Sequence, residues 1–196
     1  LSEHWTGYLP GAKPNIEDAN PFLKKWFNKI FSNASVITTV SECLGDAIQK
    51  RFDVNFEVIP NVVNTEVFYP VGKKQNSITS FIHISTNTYQ KNTDQILAAF
   101  ARVKKMGYDF TIDFYVPDPS ALHRLVEEYQ LDSQVTLHGE VPQDLLAKAL
   151  GRSDALILYS RYETFGCVVI EANACGLPAI LSDLPVFREY CVENKN

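Results

Sequence analysis

Beyond about residue 80 the chain alternates between two periods. Short β-branched and aromatic runs are each followed by a longer segment whose apolar residues recur at helical spacing. The runs Ser80–Ser85, Thr111–Val116, Gln134–His138, Ala155–Tyr159 and Ala179–Ser182 read as strands. The segments Thr93–Lys105, Ser120–Tyr129, Gln143–Leu150, Gly166–Cys175 and Val186–Tyr190 read as helices. Five strand–helix units in succession predict a parallel sheet with helices on both faces, and ligands of such sheets bind beyond the carboxyl ends of the strands. The first part of the chain is less regular. Pro21–Phe31 predicts an amphipathic helix with Phe22, Trp26 and Ile30 on one face. Val36–Val40 predicts a short strand, and Ser41 caps a helix through Phe52 with Cys43, Leu44, Ala47 and Ile48 facing inward. Phe56–Val63 predicts a strand interrupted by Pro60, and the polar stretch Tyr69–Ser77 predicts a linker.

Composition narrows the class. The 196 residues are 45% hydrophobic and 21% charged, enough to bury a core. A net charge of −5 argues against a general nucleic-acid binder, which carries a basic stripe. No apolar run approaches membrane-spanning length, and no signal peptide opens the chain. The chain begins at Leu1 and ends on Glu193-Asn194-Lys195-Asn196, and it reads as a fragment of a longer protein. Four cysteines, at 43, 167, 175 and 191, lack C-x-x-C spacing and are expected to be buried free thiols.

The densest chemistry lies between Tyr162 and Asp183. Glu163 is followed by Phe165 and Gly166; Glu171 lies within a helical run that stops at Gly176 and Pro178. A glycine turn into a helix offers N–H groups and a positive dipole end to a diphosphate. Carboxylates accept paired hydrogen bonds from vicinal hydroxyls. Together they suggest a nucleotide-sugar. Lys91, between the first regular strand and its helix, has the charge to neutralise a leaving diphosphate.

These motifs together resemble the family 4 glycosyltransferases, retaining enzymes of the GT-B architecture. The resemblance rests on Glu163-Thr-Phe-Gly through Glu171-Ala-Asn-Ala-Cys-Gly-Leu-Pro with Ser182-Asp183. Pro60-Asn61-Val62-Val63-Asn64-Thr65 with Phe68 and Pro70, Lys91-Asn92, and Ser2-Glu3-His4-Trp5 complete it. It implies two Rossmann-like domains with the donor in their cleft. This chain would hold the end of the acceptor-side domain and linker (1–74) and a donor-binding domain (75–196) lacking its last elements. By the resemblance Glu163, Lys91 and His4 serve the reaction. Glu163 receives sugar hydroxyls, and Glu171 receives the ribose. Thr164, Phe165, Gly166 and Cys167 offer backbone N–H groups. Gly139, Glu140 and Val141 frame the base, and Ser160 and Tyr162 line the pocket. The pattern departs at one place: the family's Gly-Arg after the first donor-domain strand reads Ser85-Thr86, so the arginine's charge is missing and Thr86, Asn87 or Thr88 would substitute for it by hydrogen bonds.

The expected reaction is transfer of a sugar from a UDP- or GDP-sugar to an acceptor hydroxyl with retention, in polysaccharide or glycolipid synthesis. No metal or other cofactor is implied, and no Asp-x-Asp is present to bind a metal. Glu163 and Glu171 superficially resemble a hydrolase acid pair, but they share no strand-end arrangement. The alternatives are a nucleotide-sugar epimerase of the same architecture and an inert nucleotide-binding fragment. Expected partners are the nucleotide-sugar and a glycan or lipid-linked acceptor, with no nucleic acid and no protein partner. The expected location is the cytoplasm. Lys24, Lys25 and Lys29 on the Pro21–Phe31 helix leave open a peripheral contact with an anionic membrane face, against packing of that helix on its own domain.

Overall fold

The computed structural model describes residues 1–72 and 78–191. The chain forms two compact units that interleave in sequence. The first comprises Leu1–Val62, Arg161–Gly166 and a stretch beginning at Asp183; the second comprises Val63–Ser160 and Cys167–Ser182. The boundary expected between residues 74 and 75 lies outside the described residues, as does the polar end beyond Cys191.

In the first unit, β1 (Ser2–Glu3), β2 (Thr38–Thr39) and β3 (Glu57–Val58) form a parallel sheet in that order. Both β2 and β3 are shorter than their apolar runs. Pro60 has no N–H to donate, which helps stop β3, and Val62 beyond it is 90% exposed. Helix α1 (Pro21–Asn33) starts with proline at its first position, and the Asn20 side chain accepts the Leu23 N–H at 2.9 Å. Its aromatic face divides: Phe31 is buried and stacks on Phe52 at 4.1 Å, while Phe22 and Trp26 are 80% and 53% exposed. Helix α2 (Glu42–Phe52) is capped by Ser41 and ends on Asp53 in the left-handed region. It buries Leu44, Gly45 and Ile48, whereas Cys43 and Ala47 are only partly covered.

The second unit is the expected doubly wound layer structure. Its sheet holds β4 (Thr79–Ile84), β5 (Phe110–Tyr115), β6 (Val135–His138), β7 (Ala155–Leu158) and β8 (Ala179–Leu181). All pairings are parallel, in the order β6-β5-β4-β7-β8. The crossovers are α3 (Thr93–Lys105), α4 (Ser120–Glu128), α5 (Gln143–Arg152) and α6 (Cys167–Ala174). Building outward from β4 in both directions puts a topological switch between β4 and β7. Leu97, Phe100, Ile112, Phe114, Leu122 and Leu131 form the centre of one core cluster. The described part of the expected linker, Tyr69–Gly72, belongs to this unit. Val71 packs where Gly151 has no side chain: a Cβ there would stand 2.2 Å from Val71 Cγ2.

Helix α6 starts one residue later than its pattern, because Gly166 has φ +86° and cannot be helical. It ends at Ala174, one residue before the expected Cys175, and is closed at Gly176. Gly176 (φ +72°) donates to Asn173 O at 2.9 Å and Leu177 donates to Ala172 O at 2.9 Å, the paired bonds of a Schellman cap. A last short helix, α7 (Pro185–Arg188), belongs to the first unit.

Candidate functional site

The segment that carries Glu163 is held by its own unit. Ser41 donates its hydroxyl to Thr164 O at 2.7 Å while accepting the Leu44 N–H at 3.2 Å. Tyr190 donates its hydroxyl to Phe165 O, and its ring stacks on Phe165 at 5.0 Å. Tyr162 accepts the Lys13 N–H at 3.0 Å and donates to Lys13 O at 3.2 Å. Because a trans peptide sets C=O and the following N–H antiparallel, tying the Thr164 and Phe165 carbonyls turns the Phe165 and Gly166 N–H groups the opposite way. Glu163 is 5% exposed, so it is no solvated loop acid; a carboxyl so placed needs polar partners.

The N-terminus of α2 is satisfied by a residue far away in sequence. Glu189 accepts from the Glu42 and Cys43 N–H groups at 2.9 and 2.7 Å. With Ser41 this accounts for three first-turn donors, and a carboxylate there also suits the helix dipole. Ser41 is recognisable in the sequence as a cap. Glu189 and Tyr190 carry no local signal, because their partners lie 147, 146 and 25 residues away.

In the second unit, α6 carries Cys167 at its start and Glu171 in its second turn. Cys167 is exposed, which corrects the expectation of a buried thiol; Cys175 is buried, and Cys43 and Cys191 are intermediate. Burial among the helix's apolar neighbours pushes the Glu171 carboxyl up from the ordinary range. The loop after β4 carries Thr86, which is exposed, and Lys91, half-buried on a short 3-10 turn (Tyr89–Lys91). Two left-handed asparagines, Asn87 and Asn92, shape that loop, and Asn92 precedes α3. Ser160, following β7, is buried. Beyond β6, Gly139 and Glu140 are exposed and Val141 is half-buried. Val141 lines a cavity of about 510 Å³ with Tyr115, His138 and Asp113. There the Tyr115 and His138 rings stack at 4.3 Å, and His138 Nε2 lies 2.8 Å from Asp113 Oδ1. No sequence motif marked this trio, since the three residues come from two adjacent strands.

Among the expected reaction residues, Glu163 and His4 belong to the first unit and Lys91 to the second. His4 is exposed just after β1, with its Nε2 3.2 Å from Ser2 Oγ. Thr164, Phe165 and Gly166 sit with Glu163, and Cys167 and Glu171 with Lys91 in the other unit. Among the described residues no helix is long and apolar enough to cross a membrane.

The five-stranded parallel sheet of the second unit has the switch point beyond whose strand ends ligands of such sheets bind. Comparison with known proteins gives the class. The family profile "Glycosyl transferases group 1" matches residues 70–196, and the chain belongs to that family. It is 31% identical to the O-antigen chain mannosyltransferase RfbU of Salmonella typhimurium, over 96% of this chain and 56% of that protein. It is 26% identical to N-acetyl-alpha-D-glucosaminyl L-malate synthase of Bacillus anthracis, over 88% of this chain and 48% of that one. The chain thus spans about half the length of these relatives. Its fold matches S. aureus TarM, solved with UDP and alpha-GlcNAc-glycerol, at a TM-score of 0.82 and 20% identity. That match covers 100% of this chain and 39% of TarM.

Proposed function

We propose that the protein transfers a sugar from a nucleoside diphosphate sugar to an acceptor hydroxyl with retained configuration and without a metal. The observation that carries the reading is the backbone around Gly166. With the Thr164 and Phe165 carbonyls bound to Ser41 and Tyr190, the next two N–H groups turn away from those partners. N–H groups held in a fixed direction beside a helix start suit a developing diphosphate charge. In this reading Glu163 holds the sugar hydroxyls and Glu171 the ribose hydroxyls. A carboxyl already raised by burial gains most from donors that a ribose brings. Lys91 adds positive charge toward the diphosphate, with Thr86 as a hydrogen-bonding partner, and His4 shapes the reacting centre. Cys167 contributes its N–H, Gly139 and Val141 frame the base, and Ser160 lines the pocket. The acceptor is a glycan or a lipid-linked acceptor, and the work is cytoplasmic. RfbU is a mannosyltransferase, which favours transfer over epimerisation.

Thermal unfolding against UDP, GDP, ADP and their sugar conjugates tests the reading, with Glu171→Ala as control. A nucleotide at a hundredfold excess over its dissociation constant stabilises by roughly 2.7 kcal/mol. A shift in the wild type that the variant lacks supports the site and names the base. Equal shifts in both sink the role given to Glu171.

A further inference from the structure

At the switch point the two strand pairs end differently. The β4–β5 ladder runs through His83↔Phe114 to Ile84↔Tyr115, while the β4–β7 ladder is registered only at Phe81↔Ala155 and Ile82↔Leu156. The next step would pair His83 with Ile157. There a side chain takes over: His83 Nδ1 lies 2.8 Å from Ile157 O, and its Nε2 lies 2.8 Å from Ser85 Oγ. The ring is fully buried. Burial pushes its pKa down to about 4, helped by the charge of Lys91 and opposed by the bond to Ile157. The imidazole is therefore neutral near pH 7, with one N–H. A carbonyl can only accept, so that proton sits on Nδ1, Nε2 is an acceptor, and the Ser85 hydroxyl donates to it.

The string continues into the loop. Ser85 Oγ accepts the Asn87 N–H at 3.2 Å, and Asn87 Oδ1 accepts the Thr93 hydroxyl at 2.5 Å. Asn87 and Asn92 hold φ of +51° and +57°, a left-handed conformation that costs most L-residues and that asparagine tolerates better than the others. This string ties both ends of the loop. A glycine at position 85 would have no hydroxyl to offer.

We propose that His83 is a positioning residue. As a neutral acceptor for Ser85 it sets the conformation of Ser85–Asn92 and so the place of Lys91. The functional consequence rests on the reading of Lys91 as a diphosphate ligand. Four variants of the chain test it. His83→Asn keeps a donor near Nδ1 but gives Ser85 no acceptor. His83→Gln puts an amide oxygen where Nε2 stands. Ser85→Ala, a change small enough to leave the fold intact, removes the hydroxyl. The fourth joins His83→Asn to Ser85→Ala.

Amide hydrogen exchange needs no nucleotide. The Asn87 amide should exchange at least tenfold faster in His83→Asn and Ser85→Ala, and near the wild-type rate in His83→Gln. Titrated with UDP and with GDP, the first two should bind about tenfold more weakly, and the double variant no more weakly than either alone. Unchanged Asn87 exchange in His83→Asn and Ser85→Ala overturns the proposal, as do affinity losses that multiply in the double variant. If exchange responds as expected but the wild type binds neither nucleotide, the positioning role stands and the reading of Lys91 falls.

Discussion

Gly166 provides a prediction whose two energetic parts separate. Its φ of +86° costs an L-residue about 1–2 kcal/mol, and alanine returns about 0.4–1 kcal/mol by restricting the unfolded chain. Those effects alone predict a net loss of about 1 kcal/mol. The second part is contact. A Cβ on Gly166 would stand 2.8 Å from Phe187 Cε1 and 3.3 Å from the Tyr190 hydroxyl. Phe187 is buried, and Tyr190 is engaged with Phe165 O, so neither yields freely. Overpacking of this kind costs about 1–3 kcal/mol. Gly166→Ala is therefore expected to destabilise by about 2–4 kcal/mol. Gly11 is the control: it belongs to the same unit, has φ +76°, and a methyl group there would meet nothing within 4 Å. Gly11→Ala should cost only about 1 kcal/mol. Both tryptophans, Trp5 and Trp26, lie in that unit, so urea unfolding followed by their fluorescence reads it directly. In a Phe187→Ala background the Gly166→Ala cost should fall toward the Gly11 value. Equal losses at positions 11 and 166 in the wild-type background would refute the contact argument.

Two further outcomes are expected. Burial raises the Glu171 carboxyl, so the folded chain binds that proton more tightly than the unfolded chain, and stability from this group is lost as pH rises through the unfolded value to the folded one. Glu171→Gln should therefore melt higher than wild type near pH 7.5, with the gap closing toward pH 4; a constant gap in circular-dichroism melts would contradict this. Ser41→Ala removes a cap from the buried Leu44 N–H and a donor from the partly buried Thr164 O, and should cost about 1–2 kcal/mol in tryptophan-monitored urea unfolding.

The sequence by itself determined what depends on neighbours a few residues apart. Helical spacing reproduces α3 at both ends, Ser41 caps α2, and Gly176 closes α6. Five strand–helix alternations were enough for a doubly wound parallel sheet, because period and order are local properties. The motif residues were legible in the same way, as residue types at fixed offsets. Tertiary structure alone decided the rest. It grouped Arg161–Gly166 with the first unit and Cys167 with the second. It buried Glu163, exposed Cys167, Phe22 and Trp26, and cut two apolar runs to strands of two residues. It brought Glu189 to the start of α2 and set His83 where β4 and β7 part. Burial and hydrogen-bond partnership are set by residues distant in the chain, whose positions no local pattern records.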